Sequence, residues 1–248
     1  VISIIVYIGE MLMTVTVNYG DLESGTDLKT LLYKHGFVHI KNDQPLTINQ
    51  FAEFAKTLGK PLTTVKHVLD DDRIVQEVSS NELFKNNEVD WHNDWSYGRG
   101  NYFGVTLYNK SNGNLAPTHF IDMKIALEAY DNIDLLRRVT GYYYPPKDLH
   151  YCFTTKQLEI LKMQNIHRPF IFEHHVTKDK VLYFSPGTLL KADGPDIDID
   201  KLVEHCCQFS WQHEWKDNDI IIYDNIRVMH KRDAFTGERV LWRTQFII

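Results

Sequence analysis

Apolar residues in the first quarter of the chain follow two different spacings. Residues 27–34 and 47–58 carry leucine, phenylalanine and alanine at helical intervals, and a glycine follows each segment soon after. This pattern predicts two amphipathic helices. Thr47 and Gln50 have the spacing of a capping box, which marks the start of the second helix. Residues 37–40 lie between the helices as a short apolar run and predict a strand.

Beyond these helices, short segments rich in valine, isoleucine, phenylalanine and tyrosine lie between turn residues. Such segments are typical of antiparallel strands in a sandwich or barrel. We predict strands at residues 73–78, 102–109, 168–174, 181–184, 219–224 and 239–247. Helices are predicted at residues 122–130, with Asp122 as the N-cap, and at residues 200–211. The predicted fold class is therefore mainly β, a sandwich core with flanking helices.

The composition fits one globular domain without a nucleic-acid partner. The chain has 248 residues, 43% of them hydrophobic, and no repeat or linker interrupts it. We therefore expect a single domain over residues 14–248. The net charge is −6, whereas a phosphate-binding surface needs a basic excess. The cysteines, Cys152, Cys206 and Cys207, are too few for a disulfide framework and indicate reduced thiols in a cytoplasmic protein.

Residues 1–13 are mostly apolar but do not have the pattern of a targeting or membrane segment. Gly9 and Glu10 interrupt the run, which is shorter than the roughly 20 apolar residues that cross a bilayer. The run also lacks the basic leader and small-residue cleavage site of a signal peptide. Two interpretations stay open: residues upstream of the natural start, or an added edge strand. No membrane partner is expected.

His92 and Asp94, separated by one residue, have the spacing of a metal-binding pair. Residues two apart on a strand point to the same face, so an imidazole and a carboxylate can occupy neighbouring ligand positions. Aromatic residues flank the pair at Trp91, Trp95 and Tyr97. Taken alone, the pair is better explained by a surface histidine beside a solvated aspartate.

A second group of candidate functional side chains lies later in the sequence. The apolar strand predicted at residues 219–224 is followed by His230, and Arg239 and Arg243 then share one face of the last predicted strand. A buried arginine requires an anionic partner, and no acidic run is an obvious mate for both arginines. Two histidines, one carboxylate and an arginine pair match the facial triad of non-haem Fe(II) oxygenases, which leaves positions for a chelating acid and O2.

Four stretches, taken in order, resemble the taurine dioxygenase (TauD/TfdA) family of Fe(II)- and 2-oxoglutarate-dependent oxygenases. They correspond to the family's helix ending in Leu-Gly, its Trp-His-x-Asp motif, its Gly-Gly-x-Thr stretch and its terminal Asp-Asn-Arg, His and Arg-x-x-x-Arg residues. In this sequence they are residues 51–61 (FAEFAKTLGKP), 91–94 (WHND), 117–122 (PTHFID) and 223–230 (YDNIRVMH), the last followed by Arg239 and Arg243. The resemblance extends over about residues 25–248.

The resemblance implies a fold, a set of cofactors and a reaction. The implied fold is a double-stranded β-helix, or jelly roll, with flanking helices. His92, Asp94 and His230 would ligate Fe(II), and Thr118 and Arg239 would bind the distal carboxylate of the co-substrate 2-oxoglutarate. With O2, such an enzyme hydroxylates a C–H bond of a small organic molecule and releases succinate and CO2. Halogenating relatives have glycine or alanine in place of the aspartate, so Asp94 predicts hydroxylation.

The residues carried over for the organic substrate leave two substrate classes open. Arg243 matches the position that meets the anionic group of taurine, and Tyr97 matches a phenylalanine that walls the pocket. Together they imply a taurine-like sulfonate or a related small acid. Glu88 lies near a polar contact of the taurine enzyme and would favour an ammonium group, so the alternative is a clavaminate-synthase-like hydroxylase of a free amino acid. A homo-oligomer is left open.

Two departures from the family pattern and two remote alternatives remain. Residues 115–117 replace the glycines before Thr118, and Asn218 replaces a glycine before the last motif, although asparagine also adopts left-handed turns.

A zinc hydrolase would use the same metal ligands but gives Thr118 and Arg239 no role. A non-catalytic binding module would be expected to lose metal ligands that this chain retains.

Overall fold

The computed structural model describes residues 3–8, 11–24, 27–64, 66–80, 86–100, 103–111, 116–147, 150 and 153–247. Within these residues the chain forms seventeen strands and six α-helices, numbered in chain order. The helices are α1 (Leu28–His35), α2 (Ile48–Leu58), α3 (Met123–Glu128), α4 (Ile133–Leu136), α5 (Thr155–Gln164) and α6 (Ile199–Cys207), with 3-10 turns at Tyr19–Ser24 and Pro186–Thr188. In this part of the chain, no helix combines the length and apolar character that a membrane span requires.

Most strands belong to two sheets. The larger sheet has the order β1 (Ser3–Ile8), β2 (Met11–Asn18), β3 (Phe37–Lys41), β15 (Ile220–Asp224), β7 (Phe103–Asn109), β17 (Val240–Ile247), β4 (Lys60–Pro61), with β5 (Gln76–Ser79) also paired to β17. Its pairs are antiparallel except β2 with β3. The second sheet is antiparallel, in the order β14 (Ser210–His213), β8 (Thr118–Asp122), β16 (Val228–Arg232), β6 (Val89–His92).

Two smaller sheets complete the strands. One has the order β10 (His167–Pro169), β9 (Thr140–Tyr143), β13 (Leu189–Asp193), and the other pairs β11 (Ile171–Glu173) with β12 (Lys180–Leu182). The described part of residues 1–13 contributes β1 and the first residues of β2, at one edge of the larger sheet.

The central strand β15 is apolar along its whole length because both of its faces are covered. Ile220 and Ile222 pack in a cluster with residues of α1 and α2. Ile221 and Tyr223, on the opposite face, pack in a second cluster that includes Phe120 of the second sheet. Alternation along a strand sends successive side chains to opposite faces. The larger sheet therefore lies between helices and the second sheet.

The second sheet is likewise buried on both faces. Phe120 of β8 faces the larger sheet, whereas its neighbour Ile121 packs with Ala126 of α3 and with Leu202 and Cys206 of α6. The order of layers is thus helices, larger sheet, second sheet, helices. Cys206 is fully buried in the outermost cluster and Cys207 is partly buried, both as free thiols, whereas Cys152 lies outside the described residues.

Local signals in the sequence predicted the caps of two helices, α2 and α3, and a third local cap is formed at the start of α1. Thr30 N donates to the Asp27 side chain at the start of α1. The capping box of Thr47 and Gln50 is formed at the start of α2. Asp122 accepts hydrogen bonds from the backbone of the first turn of α3. Each of these interactions joins residues three or fewer positions apart, so the local sequence encodes it directly.

Three predicted elements had wrong bounds. The helix predicted at residues 200–211 ends at Cys207, and Trp211 lies instead in β14, where its indole packs against Phe37 and Phe120 between the sheets. The strand predicted at residues 73–78 begins only at Gln76, because backbone N–H groups of residues 74 and 75 donate to the Asp70 carboxylate in a turn. The strand predicted at residues 168–174 is interrupted at residue 170 into β10 and β11.

Other elements were missed altogether, including β8, β14, β16 and α5. Helix α5 did have a usable sequence signal, since Thr154 and Gln157 form a second capping box.

At the substituted glycine position, Asn218 has a φ of 62°, in the left-handed region expected for it. Its side chain accepts a hydrogen bond from the Tyr108 hydroxyl at 2.8 Å.

A buried ion pair between Arg227 and Asp122 lies beside the second sheet and is also bonded to α1. Arg227 donates to both oxygens of Asp122, at 3.0 and 2.6 Å, and also to the Lys34 carbonyl oxygen. Because both side chains are buried, loss of one charge would leave the other uncompensated.

We expect Asp122→Asn to lower the free energy of unfolding by about 3–5 kcal/mol, because the amide is isosteric but leaves the buried Arg227 guanidinium without its carboxylate. Urea denaturation checks this. The control, Asp134→Asn, removes the carboxylate that faces Arg137 on the surface and should change the free energy by less than about 1 kcal/mol. Equal stability of the two variants would contradict a structural role for the buried pair.

Candidate active site

The register of two antiparallel strands brings the two predicted histidine ligands together. His92 at the end of β6 is paired directly with His230 of β16, and their rings lie 4.2 Å apart between centroids. Asp94 follows in the turn after β6. One nitrogen from each histidine and one Asp94 carboxylate oxygen lie within 4.8 Å of one another. The fold thus assembles the three residues that the sequence analysis singled out.

The individual distances are those of a compact three-ligand group. His92 Nε2 is 3.5 Å from Asp94 Oδ1, and His230 Nε2 is 3.9 Å from the same oxygen. Asp94 and His230 are buried, and His92 is partly buried. A single ion between these atoms could therefore contact all three.

None of these three atoms carries a hydrogen, so each can donate a lone pair to a metal ion. His92 Nδ1 is 2.7 Å from the Asp90 carbonyl oxygen; a carbonyl can only accept, so Nδ1 carries the hydrogen and Nε2 keeps its lone pair. Burial, with His92 alongside, lowers the pKa of His230 to about 3, so its imidazole is neutral. Despite burial, the Arg243 guanidinium holds the pKa of Asp94 well below its usual range. Three lone pairs converging without a proton fit a divalent cation of the Fe(II) type.

Arg243 holds one oxygen of the Asp94 carboxylate and leaves the other to the histidines. Its Nη1 lies 3.1 Å from Asp94 Oδ2, the oxygen that does not face the histidines. Gln76 Oε1 accepts from Nε and Nη2 of the same guanidinium, at 3.1 and 2.7 Å. The ion-pair partner of Arg243, which could not be identified from the sequence, is therefore Asp94. Gln76 carried no sequence signal for this role.

Asn225 clamps the backbone of Asp94. Asp94 N donates to Asn225 Oδ1 at 2.8 Å, and Asn225 Nδ2 donates to the Asp94 carbonyl oxygen at 2.9 Å. The neighbouring Asn93 donates from its side chain to the Asn225 carbonyl oxygen, and its backbone N–H donates to Ser185 Oγ. All four residues are buried. Asn225 stands in the terminal motif, but its function as a clamp follows only from the tertiary contacts.

Arg239 and Thr118 form a second polar pair beside the metal ligands. Arg239 is 4% exposed, and its Nη2 donates to Thr118 Oγ1 at 3.0 Å. Trp215 Nε1 donates to the same oxygen at 3.0 Å. Because the hydroxyl already accepts two hydrogen bonds, its own hydrogen is directed elsewhere. Trp215 was not identified from the sequence.

The Arg239 guanidinium lacks the anionic partner that burial normally requires. Among the described residues no carboxylate forms an ion pair with it, and its Nε has no hydrogen-bond partner. Burial and the neighbouring Arg232 lower the pKa of Arg239 to about 9, which leaves it charged at neutral pH. A ligand carboxylate would satisfy both this guanidinium and the Thr118 hydroxyl.

A single cavity joins the two groups. The described residues that line it include the three metal-ligand candidates together with Thr118, Arg232, Arg239 and Arg243. Arg232 was not identified from the sequence, although it lies two residues after His230 on the same strand.

Two further residues were predicted to contact the substrate, and the structure does not place either of them along this cavity. Glu88 is exposed and Tyr97 is buried, and neither is among the described residues that line the cavity. The Tyr97 ring packs against Trp95 and Phe153.

Comparison with known proteins identifies the family of this chain. A family model described as taurine catabolism dioxygenase TauD, TfdA family, matches residues 9–245. The alpha-ketoglutarate-dependent 2,4-dichlorophenoxyacetate dioxygenase of Burkholderia sp. (strain RASC) is 25% identical over 262 residues, covering 90% of this chain and 83% of that protein.

Two solved structures share the fold. A taurine dioxygenase from Burkholderia xenovorans superposes with a TM-score of 0.71 at 17% identity, covering 95% of this chain and 87% of the other. AAD-2, solved with Mn(II) and N-oxalylglycine, superposes with a TM-score of 0.75 at 18% identity, covering 94% of each chain. Because the family match covers nearly the whole sequence, this chain belongs to the TauD/TfdA family of Fe(II)- and 2-oxoglutarate-dependent dioxygenases.

We expect Asn225→Ala to raise the dissociation constant for Mn(II) about 10–100-fold, because the Asp94 backbone loses both hydrogen bonds of its clamp. Titration followed by the electron paramagnetic resonance signal of free Mn(II) measures this. As a control, Asn49→Ala changes an exposed asparagine of α2 and should leave the constant unchanged. Equal Mn(II) affinity in both variants would rule out the clamp.

Proposed function

We propose that the protein hydroxylates a C–H bond of a small organic acid, with release of succinate and CO2. In this proposal His92, Asp94 and His230 hold Fe(II), while Thr118 and Arg239 bind the distal carboxylate of 2-oxoglutarate. The observation that carries the proposal is the buried Arg239 guanidinium without a carboxylate partner, in the same cavity as the three-ligand group. A zinc hydrolase would leave this guanidinium without a function.

The bound iron and 2-oxoglutarate would supply the oxidising chemistry, and the protein would supply binding and orientation. Arg239 and Thr118 would hold one end of the 2-oxoglutarate molecule through charge-assisted hydrogen bonds. Arg243 would keep Asp94 Oδ1 turned toward the metal position by retaining Oδ2. A carboxylate ligand at position 94 supports hydroxylation over halogenation, since no vacant place for chloride is created.

The charge of the cavity supports an anionic substrate. Arg243, Arg232 and Lys231 line it together with Arg239, whereas Asp94 is the one carboxylate among the described residues that line it. Arg243 uses Nε and one hydrogen on each terminal nitrogen for Gln76 and Asp94. Each terminal nitrogen keeps a second hydrogen that could be donated to a sulfonate or carboxylate. We therefore favour a taurine-like sulfonate or a related small acid.

The amino-acid alternative depended on Glu88, which is exposed and is not among the described residues that line the cavity. A free amino acid stays the second candidate, because its carboxylate would suit Arg243 equally well. The relatives' names include a taurine dioxygenase and a 2,4-dichlorophenoxyacetate dioxygenase, and both named substrates are organic acids.

We also propose that the two facing sheets form a double-stranded β-helix and that residues 14–248 make up one oxygenase domain. The core between the two sheets supports the first statement. The family match over residues 9–245 supports a single domain, although this match and β2 (Met11–Asn18) both begin before residue 14.

We expect Arg239→Ala to raise the 2-oxoglutarate concentration for half-maximal succinate formation about 10–100-fold, because a buried charge-assisted contact contributes about 1.5–3 kcal/mol. Succinate is measured across a 2-oxoglutarate titration at saturating Fe(II). Arg137→Ala, at an exposed arginine, serves as the control and should match the wild type. An unchanged 2-oxoglutarate requirement in Arg239→Ala would remove the proposed co-substrate contact.

We expect small sulfonates or carboxylates to stimulate succinate formation above the slow rate without substrate, and neutral or cationic analogues of equal size to have no effect. A panel of sulfonates, aryloxyacids, betaines and amino acids, with product detection by mass spectrometry, tests this. Asp94→Ala, which lacks a metal ligand, should abolish both rates. Stimulation by the neutral analogues would contradict the anionic substrate class, and full activity of Asp94→Ala would contradict the iron site.

A further inference from the structure

A second group of metal-ligand side chains lies away from the active site. It consists of His39 on β3, His213 at the end of β14 and Asp219 directly before β15. One ligand atom from each lies within 4.8 Å of the others. None of the three residues belongs to the group of His92, Asp94 and His230, called here the ferrous site. We propose that this group, called here the distal cluster, binds a divalent cation of the zinc class.

The distances in the distal cluster suit a single small cation. His39 Nε2 is 3.0 Å from Asp219 Oδ1, and His213 Nε2 is 3.4 Å from Asp219 Oδ2. The centroids of the two imidazole rings are 4.7 Å apart. Zinc binds nitrogen and carboxylate oxygen at about 2.0–2.2 Å, so tetrahedral ligands lie roughly 3.2–3.6 Å from one another. The nitrogen–oxygen distances of the distal cluster are therefore shorter than those between Asp94 and its two histidines, whereas its imidazole rings lie farther apart.

Both imidazoles direct a buried Nε2 atom at the Asp219 carboxylate without forming an aligned hydrogen bond. The Nε2 atoms of His39 and His213 are inaccessible to solvent, and neither has an aligned partner among the described residues, although both point at Asp219. His213 is 9% exposed. A buried polar nitrogen without a partner costs free energy, and a cation between the three side chains would recover it.

The charge states also suit a cation. Burial lowers the pKa of His213, so its imidazole is neutral at ordinary pH. Despite burial, His213 and His39 hold the pKa of Asp219 well below its usual range, so the carboxylate is ionised. Two imidazoles and one carboxylate are a donor set that binds Zn(II), Co(II) and Ni(II).

Neighbouring polar groups contact the proposed ligands and orient their side chains. Lys216 N donates to Asp219 Oδ2 at 2.9 Å, and Thr16 Oγ1 lies 3.4 Å from His39 Nδ1. Such contacts orient metal ligands in known sites. His39 is partly exposed, which gives an ion and a completing water a route from solvent.

The distal cluster also contacts the active site through one side chain. The His213 ring lies edge-on to Trp215, with centroids 4.7 Å apart, and Trp215 Nε1 donates to Thr118. A bound ion would tie β3 of the larger sheet to β14 of the second sheet and hold Trp215 in place. The alternative occupant is a proton on His39, which would make the group an ion pair without metal.

The test separates the distal cluster from the ferrous site. Metal-depleted wild type and a His92→Ala/His230→Ala double variant are titrated with Zn(II) by isothermal calorimetry. We expect two equivalents in the wild type and one in the double variant. Adding His213→Asn, or separately His39→Gln, to the double variant should weaken the remaining site at least about 100-fold. Either substitution made in the wild type should leave one equivalent.

The control is His119→Asn, which removes a histidine that pairs with Asp233 at 2.9 Å outside any three-ligand group of the described residues; it should keep both equivalents. Circular dichroism verifies folding of each variant. The proposal is overturned if the double variant binds no Zn(II), or if a folded His213→Asn or His39→Gln variant keeps the second equivalent. Because Zn(II) binding is read without turnover, failure of the proposed hydroxylation would not alter this result.

Discussion

The active site depends on how the Asp94 carboxylate is held. Arg243, 149 residues further along the chain, binds its outer oxygen, and Asn225, 131 residues away, binds its backbone on both sides. With Oδ2 and the backbone constrained in this way, Oδ1 faces His92 and His230. A carboxylate free to rotate would pair both oxygens with Arg243 and leave the two imidazoles without their third ligand.

Each of the two sheets supplies a different set of side chains to the site. The second sheet supplies both histidines and Thr118 through the paired strands β6, β16 and β8. The larger sheet supplies the guanidinium groups, with Arg243 on β17 and Arg239 immediately before it. The candidate metal ligands and the guanidinium groups therefore meet in the space between the sheets, where a low dielectric would strengthen the binding of both a cation and an anion.

Buried charges in this protein fall into two kinds, and the difference separates structure from function. Arg227 is compensated within the chain by Asp122, so its contribution is to stability. Arg239 is equally buried, yet among the described residues it has only a hydroxyl partner. A buried cation that the fold leaves uncompensated indicates a ligand site. Related reasoning applies to the buried Nε2 atoms of His39 and His213, which face Asp219 without an aligned hydrogen bond.

The sequence by itself determined the elements whose signals are local, and it singled out the three candidate metal ligands. The caps at Thr47 and Asp122 and the pair of His92 and Asp94 depend on residues within three positions of each other, and the order of family motifs pointed to His230. Only the tertiary structure decided the partners of Arg243, the contact of Trp215 with Thr118 and the existence of the distal cluster. These contacts join residues far apart in the chain, so they depend on strand register and sheet packing, which local spacing does not encode.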